Sequence, residues 1–188
     1  NAGIRAARGQ YIAFLDSDDR FTPNKLAENK AYLEAHPECK FLYSWYYDVR
    51  GKRRILQKVK QYHDLEQFRY RLYRRSFTIR TSTVVVHRSC FDKVGLFHPG
   101  YRYSQDWDMW LRLAAHYLGH GLRKPLALYR RHMRKPIPSR ERHRRIRRTA
   151  RIAFRWDDMK LAAVKAKFGD AKPAKPAGLF RICKRVRR

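Results

Sequence analysis

The run Tyr11-Ile12-Ala13-Phe14-Leu15-Asp16-Ser17-Asp18-Asp19 decides how this chain is read. Five apolar residues followed at once by three carboxylates describe a buried strand that ends in an acidic turn. Open α/β sheets gather their ligands at the C-terminal ends of strands, so the three acids stand where a divalent cation and a phosphate would meet. The same residues also suit a polar strand-to-helix turn in which one aspartate caps the next helix and the others face water. Local sequence leaves both readings open.

Downstream, Thr22 and Pro23 form a cap and a first helical position, and Leu26, Lys30 and Leu33 recur at helical spacing until His36-Pro37. Residues 40–47 read as an aromatic-rich strand, followed by a turn at Gly51 and an extended stretch over 53–59. A short helix is expected over 65–73, a β-branched strand over 83–86, and a helix over 88–94. The next helix, 105–118, carries Trp107, Trp110, Leu111, Ala114 and Leu118 on a broad apolar face, with Asp106 and Asp108 in its first turn. Residues 125–129 form a short apolar segment. A long helix is expected over 140–168, with Gly169 as its stop and an Ala/Lys/Pro linker behind it.

At 188 residues and 44% hydrophobic, the chain supports one domain. It begins with Asn1 only about ten residues before the first strong strand signal, which leads us to expect an N-terminally shortened fragment. Neither a secretory leader nor a membrane span is expected. Cys39, Cys90 and Cys183 are odd in number and widely spaced, which favours reduced thiols in a cytosol over a disulfide framework or a zinc cluster. Net charge is +29, and residues 120–188 hold 24 of the 45 lysines and arginines but 4 of the 16 acids. Such a surface favours anionic partners without naming them.

Asp106 and Asp108 lie two residues apart and so do not share a helix face, which gives them different tasks. Taken alone, acids in a first helical turn are dipole-matched surface groups more often than catalytic bases.

Together the blocks resemble the family 2 glycosyltransferases, inverting enzymes of the A-type fold that take sugar from a nucleotide diphosphate. The resemblance rests on residues 1–19, on 83–97 with Val94-Gly95-Leu96-Phe97, on Asp106-Trp107-Asp108-Met109-Trp110-Leu111-Arg112, and on Tyr129-Arg130-Arg131-His132. It covers residues 1–132, and the order and spacing of the blocks carry it. It implies a partial A-type α/β fold, with a mixed, mostly parallel sheet flanked by helices and a basic helical C-terminal extension. The divisions expected are a catalytic part over 1–135 lacking most of the nucleotide pocket, a basic helical extension over 136–169, and a linker and tail over 170–188.

The resemblance further implies Mn2+ or Mg2+ held by Asp18, with Asp19 and His132 as further ligands. Asp16 would contact the donor, and Arg130, Arg131 and His132 would attend its diphosphate. Asp106 would be the base that accepts the proton of an acceptor hydroxyl, inverting the anomeric centre in one displacement. Gln105, Trp107 and Thr83 would lie on the acceptor side. Gln105 departs from the Glu usual before the base. Trp107 and Trp110 suit a sugar-stacking wall and a packing role equally. The partners implied are a nucleotide diphosphate sugar and a glycan or lipid-linked acceptor in cell-envelope synthesis, with the isolated fragment weakly active or inactive.

Two other readings address the basic C-terminal third. The arginines from Arg142 to Arg155 could contact nucleic-acid phosphates without sequence specificity. Alternatively, a helix around 146–168 could rest on an anionic membrane surface at the cytoplasmic face, which accounts for its apolar residues as well.

Overall fold

The computed structural model describes residues 1–101, 103–131 and 139–169, so the expected linker and tail over 170–188 lie outside the described residues. The helices are α1 (Ala2–Ala6), α2 (Lys25–Ala35), α3 (Leu65–Tyr73), α4 (Cys90–Val94), α5 (Gln105–Ala114), α6 (Ser139–Phe154) and α7 (Asp158–Phe168). The strands are β1 (Tyr11–Ala13), β2 (Arg20–Phe21), β3 (Phe41–Arg50), β4 (Arg53–Gln57), β5 (Val85–His87) and β6 (Gly119–Arg130). They form one sheet in the order β1-β5-β3-β6-β2, with β4 hairpinned onto β3.

The expected α/β fold with a mixed sheet and flanking helices is what the chain forms. The balance of strand directions differs from expectation, because only β3 and β6 run parallel and every other pairing among the described strands is antiparallel. The connections explain this. β3 returns to β4 through a tight turn in which Gly51 takes φ 57°, whereas the parallel partner β6 follows a crossover containing α3, α4 and α5. β1 is also shorter and wetter than its sequence suggests, with Ile12 buried but Leu15 half exposed.

The core lies between the sheet and α3, α5, α6 and α7. Trp110 is fully buried, stacked on Phe41 at 5.6 Å and met edge-on by Phe14 at 6.1 Å and Phe97 at 6.3 Å. This resolves the choice for Trp110 in favour of packing. β6 passes so close to the aromatic stack that a Cβ at Gly119 would run into the rings of Phe68 and Tyr43. Ile146, Ala150, Phe154, Trp156 and Val164 join the same core, so the basic helical segment is packed onto the body of the protein. The single long helix expected over 140–168 is two helices. Arg155 takes a left-handed φ of 53° and the side chain of Asp157 accepts from the Lys160 N–H at 2.7 Å, which stops one helix and starts the next. Gly169 ends the second, as expected.

Helix α2 starts later than Thr22 and Pro23 suggest. The Thr22 N–H bonds Leu126 O and holds that residue to β6, so the helix begins at Lys25 and turns Lys25, Asn29 and Leu33 inward while Leu26 stays exposed. Lys25 is completely buried, donates to Thr83 O at 3.3 Å and lies over the Phe21 ring at 4.9 Å. Burial lowers its ammonium to about 8.

One interaction set ties these elements together. The antiparallel β1–β5 ladder continues as Phe14 N–H to Val84 O, and then Asp16 N–H donates to Ser82 Oγ at 3.0 Å. Ser82 Oγ in turn donates to Asp19 Oδ2 at 2.6 Å, and the Arg130 N–H donates to Asp19 Oδ1 at 2.7 Å. Asp19 is thereby a buried brace between the acidic turn, the 3-10 turn at Thr81–Thr83 and the end of β6.

Asp19→Ala leaves both donors unpaired and is expected to destabilise the fold by about 2–5 kcal/mol in urea unfolding. For Lys25 the unfolded chain retains the proton to about 10.5 and the folded chain only to about 8, so this group adds stability as pH rises through that window. Subtracting the pH–stability curve of Lys25→Met from that of the parent should leave a rising difference between those two values.

Candidate active site

A cleft of about 1050 Å³ opens where the acidic turn, α1, the segment 75–81 and the N-terminus of α5 converge. Asp16 and Asp18 line it from the turn, and Gln105, Asp106 and Trp107 line it from the first turn of α5. The two acidic groups that lie about ninety residues apart in sequence therefore face one cavity. Register produces this: β1 and β5 bring residues 16–19 against 81–83, and α5 packs beneath them through Trp110 and Phe14.

Asp106 is the carboxylate of the cleft with a raised pKa. Burial raises its pKa, opposed by the Trp107 N–H that donates to Oδ1 at 2.8 Å and by the charges of Arg80 and Arg75. A raised pKa makes it the stronger base when ionised. Asp108 has another task, as its spacing from Asp106 suggests. It is buried, accepts from Arg112 at 2.9 Å and from Thr149 Oγ1 at 3.0 Å, and so links α5 to α6. Arg112 also holds the carbonyls of Val94 and Leu96, which fixes the turn before Phe97 on the cleft wall.

Other expected site residues are placed differently. Thr83 is buried away from the cleft, with its hydroxyl on Arg80 O at 2.7 Å and its carbonyl on Lys25, and Thr78 and Thr81 line the cavity instead. Asp19 has both oxygens committed to the brace, which accounts for its absence from the cavity lining. Arg130 contributes its backbone N–H to that brace. Arg131 pairs with the buried Asp48 at 3.0 Å, and neither arginine lines the cleft. His132 lies outside the described residues. Trp107 is buried but forms part of the wall, with the Arg75 guanidinium over its ring at 4.9 Å.

Arg75 and Arg80 are the residues that sequence reasoning missed. Arg80 stacks over the Tyr129 ring at 4.1 Å and bonds the Tyr46 hydroxyl at 3.4 Å, which orients its charge along the cleft wall beside Asp106. Arg75 and Ser104 take left-handed φ values of 53° and 59°, two of only three such non-glycine residues in the described chain. Both line the cavity next to Asp106, where backbone strain is often held for function.

The donor set tests whether a cation fits. Asp16 and Asp18 offer hard oxygen ligands at the cavity surface, while among the described residues no group of three or more His, Cys, Asp and Glu is arranged to hold a metal by itself. Two carboxylates with room for phosphate oxygens beside them suit Mg2+ or Mn2+, which keep positions for substrate and water. The residues present fit such an ion.

The sequence profile of glycosyl transferase family 2 matches residues 1–95. An uncharacterized glycosyltransferase of Methanocaldococcus jannaschii is 29% identical over 116 residues, which cover 61% of this chain and 39% of that protein. The UDP-Glc:alpha-D-GlcNAc-diphosphoundecaprenol beta-1,3-glucosyltransferase WfaP of Escherichia coli is 28% identical over 115 residues, covering 60% of this chain and 42% of its own length. This chain thus spans well under half of these curated relatives. A crystal structure of TarS from S. aureus superposes with a TM-score of 0.64 at 16% identity, over 89% of this chain and 47% of that one, a likeness of fold. Because the profile match takes in the acidic turn together with Arg75 and Arg80 and spans just over half of its length, the chain belongs to glycosyl transferase family 2.

Proposed function

We propose that the cleft transfers a sugar from a nucleotide diphosphate donor to the hydroxyl of a glycan or lipid-linked acceptor, with inversion at the anomeric carbon. The observation that carries this reading is the meeting of Asp106 with Asp16 and Asp18 in one cavity. The E. coli relative, named for a UDP-glucose donor and a diphosphoundecaprenol-linked acceptor, supports both substrate classes, and the amylovoran biosynthesis glycosyltransferase of Erwinia amylovora supports a setting in cell-envelope glycan synthesis.

Asp16 and Asp18 would hold a divalent cation, and Asp16 would also contact the sugar nucleotide. When bound, that cation offsets the negative charge on the two phosphates. Asp106 accepts the proton of the acceptor hydroxyl as its oxygen bonds to the anomeric carbon. The bond from that carbon to the diphosphate breaks and the electron pair leaves with the phosphate oxygen. The charges of Arg75 and Arg80 favour the ionised form of Asp106 against the burial that opposes it, and they suit an anionic group on an incoming substrate. Gln105 replaces a carboxylate with an amide that donates to and accepts from sugar hydroxyls. A peripheral position on a membrane fits a lipid-linked acceptor, and no helix among the described residues is long and apolar enough to cross one.

Asp106→Asn should lower kcat by at least a factor of about 100 with little change in donor binding, since the step it removes is general-base transfer. Its stability moves the other way. The fold favours neutral Asp106, so the stability it contributes is lost as pH rises through the raised pKa, and Asn should be no less stable than Asp at neutral pH. The acid limb of kcat/KM should lie above the ordinary carboxylate range, because activity falls as pH drops through that same raised value. A limb at the ordinary value, or full turnover in Asp106→Asn, would remove Asp106 from the role.

A further inference from the structure

The outward face of α6 borders a groove that shares no lining residue with the cleft. Arg144, Arg145, Arg148, Thr149 and Ile152 fall on one stripe of the helix and line a groove of about 710 Å³ whose opposite wall is His98 and Tyr101. Those two rings stack at 4.1 Å, and the Arg145 guanidinium lies over Tyr101 at 4.1 Å. The inward face of the same helix carries Ile146, Ala150 and Phe154 into the core, so the stripe is held rigidly outward.

Charge and polarity together point to the occupant. Arg144, Arg147 and Arg148 have no carboxylate partner among the described residues, and Asp108, which lines the adjoining hollow, is already engaged by Arg112 and Thr149. Among the described side chains, the groove therefore presents positive charge that no carboxylate pairs at Arg144 or Arg148. In its wall Ile152 is 69% exposed, and on the following helix Met159 is 85% exposed, the two most exposed large apolar residues described. Phosphate alone would account for the arginines but gives no reason for the apolar residues. An anionic lipid surface accounts for both, with arginines at the headgroup phosphates, Ile152 at the acyl boundary and Tyr101 at the interface.

We propose that this face of α6, with the His98–Tyr101 turn, docks the protein onto anionic membrane lipid. The position has a functional consequence. Residues 97–101 and 103–104 are shared between the two walls: Phe97, Tyr103 and Ser104 line the cleft, and His98 and Tyr101 line the groove. A membrane seated on α6 thus lies next to the side of the cleft that carries Asp106.

The test is co-sedimentation of the full chain with phosphatidylcholine vesicles with and without phosphatidylglycerol. Each basic side chain near an anionic surface strengthens partitioning about fivefold. Arg144→Glu/Arg148→Glu should therefore weaken binding to the anionic vesicles by at least roughly thirtyfold. Arg53→Glu/Arg54→Glu on the β3–β4 hairpin, an equal change in net charge, should change it far less. Ile152→Ser should weaken vesicle binding and leave binding to a DNA duplex unaltered. Equal losses in the two charge-reversed variants would mean that net charge alone acts, and would overturn the proposal. So would an Ile152→Ser variant that binds vesicles normally while Arg144→Glu/Arg148→Glu loses DNA, which would assign the face to nucleic acid. Vesicle binding is read without sugar transfer, so the outcome is independent of the reaction assigned to the cleft.

Discussion

The two hydrogen bonds accepted by Asp19 are the constraint on which the rest of the site depends. One from Ser82 Oγ and one from the Arg130 backbone lock the acidic turn to segments that are 63 and 111 residues away in sequence. A carboxylate buried to this degree is tolerated because both oxygens are satisfied by short bonds. With Asp19 turned inward and Ser82 also holding the Asp16 N–H, Asp16 and Asp18 are left at the cavity surface. The acidic run thus divides into one structural carboxylate and two that can meet ligand, a division that three adjacent-looking acids in a sequence do not reveal.

The same logic separates what sequence disclosed from what it did not. Asp16 and Asp18 stood out because an apolar run ends in them, whereas Gln105 and Asp106 were named through the resemblance to family 2; all four line the cleft. The alternation of strands and helices and the stop at Gly169 were likewise legible from local pattern, and the helix over 65–73 formed as expected. Thr83, Arg130 and Arg131 were assigned by their place in motif-like blocks, but their contacts are set by strand register. Thr83 follows the 3-10 turn inward, and Arg131 is drawn to Asp48 across the β3–β6 pairing. Arg75 and Arg80 gave no periodic or motif signal at all. Their roles come from a left-handed backbone at one and aromatic rings from β3 and β6 beneath the other.

The site also concentrates features that oppose stability. Asp106 is held partly dehydrated with a raised pKa, and Arg75 and Ser104 take left-handed backbones beside it. These are sustained by the aromatic packing of Trp110 with Phe14, Phe41 and Phe97 and by the Asp108–Arg112 link, which fix α5 from behind. The arrangement is a rigid wall that presents the carboxylate proposed as base, with the acidic turn on a separate brace.

The central claim is that Asp16 and Asp18, and not Asp19, meet the cation and donor across the cavity from Asp106. Anomalous diffraction from manganese in crystals grown with a nucleotide diphosphate sugar measures this directly. The account predicts a manganese peak at the cavity surface, ligated by Asp18 and donor phosphate, with the Asp19 bonds to Ser82 and Arg130 intact. A peak ligated by Asp19 with its bond from Ser82 broken, or one outside the cavity, would contradict it.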